Sequence, residues 1–185
     1  MSQFRFSVGP WNVHEGADVF GPPVRDTIAF ADKVKKFKEI GFDAVQFHDD
    51  DVVADIDDKS SQQIDEEVKQ VKKILSDHGL AAEFVAPRLW ESPKTIDGAF
   101  TSNSAEECKY ALDRTLRAVD IARALDTDLL GFWYAREGTL CAESKDTREG
   151  VKRIIDGLNA VLDYDKGIRI FIEPKPNEPI DRSFL

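Results

Sequence analysis

Two hydrophobic spacings alternate along this chain. Short apolar runs, typical of buried strands, are separated by longer stretches whose apolar residues recur every three or four positions, as on one face of a helix. The runs predict five strands, at residues 4–9, 43–47, 81–86, 128–133 and 168–173. The stretches predict four helices, at residues 24–41, 62–79, 104–125 and 146–162, with a capping box formed by Ser104 and Glu107. This alternation predicts an α/β fold with a parallel sheet.

A doubly wound sheet and a (β/α)8 TIM barrel both fit this pattern. A complete barrel takes roughly 250 residues, whereas this chain has 185. Five strands and four helices are therefore just over half of a barrel, and no helix follows the fifth strand to cover it. We predict a single domain, residues 1–185, that forms the N-terminal portion of a TIM barrel and is truncated.

Charge and composition exclude several classes of partner. Acidic residues outnumber basic ones, 35 to 25, and the formal net charge is −10. Nucleic acid and anionic membrane surfaces would be repelled by such a chain. The two cysteines, Cys108 and Cys141, are too few for a disulfide framework. The chain does not open on a signal pattern, and no apolar run approaches the roughly 18 residues that span a membrane, so we expect a cytoplasmic protein.

The end of the fifth predicted strand carries a carboxylate and an ammonium group. Glu173 and Lys175 are two positions apart, so they share a face if the chain stays extended. Parallel α/β folds place their active sites at the carboxyl ends of the strands. A metal-ligating carboxylate beside a charge-stabilising lysine suits this position, and a structural ion pair is the alternative.

A histidine followed by three acids ends the second predicted strand, in the sequence FHDDD. His48 with a nearby carboxylate is typical of a proton shuttle, because the carboxylate fixes the tautomer and orientation of the imidazole. Metal ligation by the cluster and a solvated acidic loop are the alternatives.

Each of the three tryptophans follows a predicted strand. Trp11 comes after the first, Trp90 after the third, and Trp133 ends the fourth. All three therefore lie at the same end of the predicted barrel, which predicts an aromatic wall for a sugar. Packing in the core is the alternative, since it is the usual fate of a single tryptophan. Residues 136–138 are interpreted as loop only.

These stretches together resemble the xylose isomerase family. The matching segments are VGPWNVHEGADVFG, VQFHDDD, DGAFTSN, FWYAREG and IEPKPNEP, in the order found in the family. The resemblance implies a TIM barrel that interconverts D-xylose and D-xylulose, and in many members D-glucose and D-fructose. It also implies two divalent ions, Mg²⁺, Mn²⁺ or Co²⁺, which polarise the open-chain sugar for a hydride shift.

The resemblance implies a role for each matching residue. His48 would open the sugar ring, Asp51 would orient His48, Glu173 would bind a metal, and Lys175 would hold a sugar oxygen. Trp11 and Trp133 would line the substrate pocket, and Phe20 would reach into the site of a neighbouring subunit. Trp90 is predicted to line the same pocket from its place at the rim. Trp90 stands where many members have Phe, and Tyr134 and Ala135 stand where glycines are common.

Most metal ligands of that family come from later strands, which this chain lacks. We therefore expect no turnover by the 185 residues alone, unless a complementing C-terminal half or another copy supplies the rest. A homo-oligomer, dimer or tetramer, is the expected assembly. A related epimerase or phosphodiesterase barrel, and a non-catalytic half-barrel that binds sugar or dimerises, are the alternative functions.

Overall fold

The fold is described for residues 4–17, 22–174, 179–180 and 182–184 of a computed structural model. Its strands are β1 (Ser7–Val8), β2 (Ala44–His48), β3 (Ala81–Ala86), β4 (Leu129–Trp133) and β5 (Arg169–Glu173). Its α-helices are α1 (Phe30–Ile40), α2 (Asp49–Val52), α3 (Ser61–Asp77), α4 (Ala105–Ala124) and α5 (Thr147–Tyr164). Short 3-10 helices lie at Pro10–Val13, Ile56–Asp58, Pro93–Thr95 and Ala142–Ser144.

The strands form one sheet in the order β1-β2-β3-β4-β5. β1 pairs with β2 in parallel, with Ser7 opposite Ala44. β4 pairs with β5 in parallel, from Leu129 opposite Arg169 to Trp133 opposite Glu173. A parallel sheet whose strand order follows the chain order is the arrangement of a TIM barrel, so the predicted fold class is confirmed for these five strands.

Two compact units make up the chain, and each has its own apolar core. The first comprises Met1–Val85 with Ala122–Thr127, and the second comprises Ala86–Ile121 with Asp128–Leu185. Fully or almost fully buried side chains of the first unit include Val34, Phe37, Val45, Phe47 and Val68. Those of the second include Val119, Leu130, Phe132, Ile154 and Val161. That residues 1–185 form a single domain stays a prediction.

The first helix begins at Phe30, later than its apolar spacing predicts. The backbone N–H groups of Val24 and Arg25 both donate to the carbonyl oxygen of Glu15, at 2.8 and 2.9 Å. Ala29 is extended, with φ −58° and ψ 141°. The segment before Phe30 thus pairs with the loop after β1, although its sequence continues the helical pattern. The predicted helix start was therefore wrong.

A serine that follows the acidic loop caps α3. The Ser60 hydroxyl accepts from the backbone N–H of Gln63 at 3.4 Å, and the Gln63 side-chain oxygen accepts from the backbone N–H of Ser60 at 2.9 Å. Ser60→Ala is expected to lower the free energy of unfolding by about 1 kcal/mol, because the Gln63 N–H loses its acceptor and the Gln63 side chain loses the hydroxyl that donates to it. Urea unfolding measures this, with Ser76→Ala in the last turn as the control. An unchanged midpoint for Ser60→Ala would contradict it.

The capping box predicted at α4 is half formed. The Ser104 hydroxyl accepts from the backbone N–H of Glu107 at 3.4 Å. The Glu107 carboxylate, however, accepts from the Ser102 hydroxyl, and that same hydroxyl accepts from the backbone N–H of Ser104 at 3.0 Å. The buried Ser102 side chain therefore takes the place that a direct contact between Glu107 and the Ser104 backbone would occupy.

Within the described residues, no helix has the length and apolar character needed to cross a membrane.

Candidate functional site

The junction of β2 and α2 holds an imidazole and a carboxylate in contact. His48 is the last residue of β2 and the N-cap of α2, with φ −84° and ψ 159°. One oxygen of Asp51 accepts from the backbone N–H of His48 at 2.9 Å and lies 3.0 Å from Nδ1 of its ring. The carboxylate thereby orients the imidazole while it caps the helix. Three acids in this first turn also suit the positive end of the helix dipole.

A tryptophan covers the His48 ring. Trp11 lies in the short 3-10 helix after β1, and its ring centroid is 4.3 Å from that of His48, with the planes tilted by 36°. Gly9 makes this approach feasible, since a Cβ there would lie 2.2 Å from the Trp11 ring. The ends of β1 and β2 thus bring Trp11, His48 and Asp51 together. The acidic loop predicted after β2 begins instead with the short helix α2.

The same junction offers a group of metal-binding atoms. Ligand atoms of His48, Asp50 and Asp51 all lie within 4.8 Å of one another. A mixed nitrogen and oxygen set suits Mn²⁺ or Co²⁺ better than Mg²⁺, which prefers oxygen alone. The neighbouring Asp49 is fully buried and accepts from the backbone N–H of Asp50 at 3.0 Å. Proton transfer and metal ligation both fit these donors.

In the second unit, the ends of β4 and β5 place a tryptophan beside a carboxylate. Trp133 and Glu173 are opposite each other in the parallel register, so their side chains leave the sheet on the same face. Trp90 packs edge-on against Trp133, with ring centroids 4.7 Å apart at 65°. Trp90 is almost fully buried, and Glu173 is exposed. An aromatic pair and an accessible strand-end carboxylate therefore lie within this unit.

Two arginines contact Trp90, and the sequence patterns did not indicate either. The Arg88 guanidinium lies 5.6 Å from the centre of the Trp90 ring and 3.1 Å from a carboxylate oxygen of Glu91. Nε of Arg136 donates to the Trp90 carbonyl oxygen at 3.2 Å. Residues 136–138, interpreted from the sequence as loop only, thus include a direct contact to the aromatic pair.

The next residue, Glu137, is a buried acid that sequence reasoning also missed. It is 2% exposed. Burial raises the pKa of its carboxyl above the ordinary value, and hydrogen bonds from Thr101 and Phe100 and the charge of Lys145 act in the opposite direction. Nothing in one sequence distinguishes such a glutamate from a solvated one, because its partners lie more than 30 residues away along the chain.

Two residues predicted for the site, Phe20 and Lys175, lie outside the described residues, and their roles stay predictions. The other histidines have local partners. Nδ1 of His14 accepts from the backbone N–H of Gly16 at 2.9 Å, and Nδ1 of His78 is 2.8 Å from the Ile74 carbonyl oxygen at the end of α3. Both contacts stabilise a turn or a helix end.

Comparison with known families identifies the class of proteins to which this chain belongs. The family model described as xylose isomerase-like TIM barrel matches residues 34–184. The chain therefore belongs to the xylose isomerase-like TIM barrel family, and the resemblance seen in its motifs is confirmed at this level.

Solved structures of similar fold include enzymes of different chemistry. A D-psicose 3-epimerase, solved in the presence of D-fructose, matches with a TM-score of 0.63 and 17% identity over 94% of this chain and 53% of its own. An AP endonuclease, family 2, from Brucella melitensis matches with a TM-score of 0.62 and 17% identity, over 98% of this chain and 59% of its own.

A third similar structure holds a metal. It is a xylose isomerase-like TIM barrel protein from Mycobacterium smegmatis in complex with magnesium, with a TM-score of 0.57 and 17% identity over 96% of this chain and 57% of its own. The chain thus spans little more than half the length of each of these three structures. At these identities the likeness establishes the fold.

Proposed function

We propose that this chain contributes the first strands of a metal-dependent sugar isomerase that converts an aldose to a ketose, with D-xylose and D-xylulose as the pair to test first and D-glucose and D-fructose as the second. The observation that carries the proposal is the His48–Asp51 pair beneath Trp11, at the carboxyl end of β2. The family supports a sugar substrate, and the choice of isomerisation follows from the sequence motifs.

The His48–Asp51 pair suits the opening of a sugar ring. Opening requires a proton to leave the anomeric hydroxyl and another to reach the ring oxygen. Where Nδ1 carries the ring proton, it can donate to Asp51, whose carboxylate oxygen lies 3.0 Å away, and Nε2 of His48 then has the lone pair that accepts the first proton. The Trp11 ring, tilted by 36° against His48, offers an apolar surface for the C–H face of the sugar and excludes water from one side.

The proposal also includes two bound divalent ions, as the family resemblance implies. Mg²⁺, Mn²⁺ and Co²⁺ are the candidates. A bound ion would polarise the carbonyl and hydroxyl oxygens of the opened sugar. Glu173 would be one carboxylate ligand, and its position at the end of β5 beside Trp133 supports this role. Lys175 would hold a sugar oxygen, and Trp90 and Trp133 would line the pocket. We further propose that the protein forms a homo-oligomer in which Phe20 reaches into the site of a neighbouring subunit. A cytoplasmic location also stays a prediction.

Epimerisation of a ketose is the second candidate, because the likeness to D-psicose 3-epimerase covers nearly the whole chain. Phosphodiester hydrolysis is less well supported, although the Brucella endonuclease has a similar fold. The net charge of −10 disfavours a polyanionic substrate.

Sugar conversion followed by proton NMR in D₂O distinguishes the two candidates. The chain is incubated with D-xylose or D-fructose and Mg²⁺, Mn²⁺ or Co²⁺, alone and with a separately expressed segment that supplies the later strands. A hydride shift gives ketose without solvent deuterium at the transferred position. Epimerisation through proton exchange gives a new ketose that carries deuterium. Absence of both products with the later strands present would overturn the proposal.

Binding of Mn²⁺ to the β2–α2 junction is testable on this chain directly. Because the ligand atoms of His48, Asp50 and Asp51 are clustered, Mn²⁺ is expected to broaden the backbone amide signals of residues 48–52 selectively. In the Asp50→Asn variant, the same broadening should require an Mn²⁺ concentration that is about tenfold higher or more, since one charged ligand is lost. Asp58→Asn, an exposed acid of the same segment, is the control. Uniform broadening of all acidic segments would contradict a site at His48.

A further inference from the structure

The turn after β4 contains a carboxylate built into the protein interior. Glu137 accepts hydrogen bonds from the backbone N–H of Phe100 at 2.7 Å, from the backbone N–H of Thr101 at 2.9 Å and from the Thr101 hydroxyl at 2.5 Å. Thr101, like Glu137, is 2% exposed. A buried carboxylate is costly unless its lone pairs are satisfied, and here three donors satisfy them. The turn is thereby fixed to the segment that precedes α4.

The same turn connects directly to the aromatic pair. The backbone N–H of Glu137 donates to the carbonyl oxygen of Tyr134 at 3.1 Å, which closes a tight turn one residue after Trp133. Arg136 lies inside this turn, and its Nε donates to the Trp90 carbonyl oxygen at 3.2 Å. The direction of the Arg136 side chain is therefore set by a turn whose far end is held by the Glu137 carboxylate.

We propose that Glu137 is a positioning residue that, through Arg136, holds Trp90 edge-on to Trp133 as the wall of the sugar site. Glu137 itself is too deeply buried to contact a sugar, and it acts through the backbone of residues 134–137 and of Trp90. The sugar-binding use of this wall rests on the proposed function, whereas the geometry of the wall does not.

Glu137→Gln tests this role with little change in volume. A single amide oxygen cannot accept from both backbone N–H groups, so the amide NH₂ must face one of these buried donors and push it away. The turn is expected to shift, and the excitonic circular dichroism of the Trp90–Trp133 pair, with centroids 4.7 Å apart, should be lost or strongly reduced. KM for the sugar should rise about tenfold or more at nearly constant kcat, as expected when substrate positioning is lost.

A matched control and a second variant keep the test decisive. Glu143→Gln changes an exposed glutamate of the same connection and should leave both the dichroism and KM unchanged. Arg136→Met removes the Nε donor without disturbing the buried carboxylate, and it should reduce the dichroism in the same direction. If Glu137→Gln does not fold, Arg136→Met decides.

The outcomes for position and for function are separable. A folded Glu137→Gln variant with wild-type dichroism would overturn the positioning role, whatever the sugar kinetics show. Wild-type dichroism in Arg136→Met would overturn the route through Trp90. Loss of dichroism in both variants of a protein that turns over no sugar would sustain the positioning role and remove the proposed function.

Discussion

Asparagine in place of Asp51 is expected to reduce sugar turnover about 100-fold or more, within the range that a positioned acid–base group supplies. One oxygen of Asp51 accepts from the backbone N–H of His48 and lies 3.0 Å from Nδ1 of its ring. An asparagine oxygen can occupy the same place, but the amide carries no negative charge. The imidazolium that forms when His48 accepts the substrate proton then loses its charge partner.

The tautomer of His48 gives a reading that does not require turnover. Two-bond proton–nitrogen correlation spectra should show Nδ1 protonated in the wild-type chain and a shift toward the other tautomer in Asp51→Ala, which leaves no acceptor beside Nδ1. The signals of His14 and His78 serve as internal references, and Asp58→Ala should leave all three histidines unchanged. An unchanged His48 spectrum in Asp51→Ala would show that Asp51 does not set the tautomer.

Alanine in place of Gly138 is expected to detach the segment that ends at Phe184. Gly138 pairs with Ser183 in an antiparallel bridge, and a Cβ at Gly138 would lie 2.2 Å from the Arg182 carbonyl oxygen and 2.9 Å from the Ser183 Cα. Because these are backbone atoms, no side-chain rotation relieves the clash. The variant is expected to lose about 2–4 kcal/mol, from two hydrogen bonds and the burial of Ile180.

Amide hydrogen exchange localises this effect. The backbone N–H of Thr139 donates to the Arg182 carbonyl oxygen at 3.1 Å, and that of Phe184 donates to the Glu137 carbonyl oxygen at 2.9 Å. Both amides should lose protection in Gly138→Ala. Gly41→Ala is the control, because no atom lies within 4 Å of its Cβ position and only its φ of +105° opposes the substitution. Retained protection at Thr139 and Phe184 would refute the detachment.

The sequence was sufficient for the order and type of the main elements, because strand and helix differ in hydrophobic period. The bounds of β3 at Ala81–Ala86 match the prediction. The start of α1 was missed because hydrophobic spacing carries no information about Glu15, whose carbonyl oxygen accepts from Val24 and Arg25. The local pattern predicts a helix there, whereas the structure pairs this segment with an earlier loop.

The candidate site likewise contains residues that the sequence predicted and residues that it did not. The spacing of His48 and Asp51 is local, so a carboxylate that orients the imidazole was predictable from FHDDD, and the structure places the two groups 3.0 Å apart. Tryptophans at strand ends were also predictable, and the structure pairs Trp90 with Trp133 within the second unit, while a rim shared by all three stays a prediction. Glu137 and Arg136 were not, since Glu137 acquires its partners from residues 100 and 101 and Arg136 from residue 90. Contacts of that range follow from the fold and leave no signal in a single sequence.

His48 caps the N-terminus of a helix of only four residues, Asp49–Val52, in which Asp49 and Val52 are buried. Whenever that single turn opens, Asp51 leaves the ring and the backbone of His48 together, because one oxygen serves both. The orientation of the imidazole therefore depends on this single helical turn staying formed.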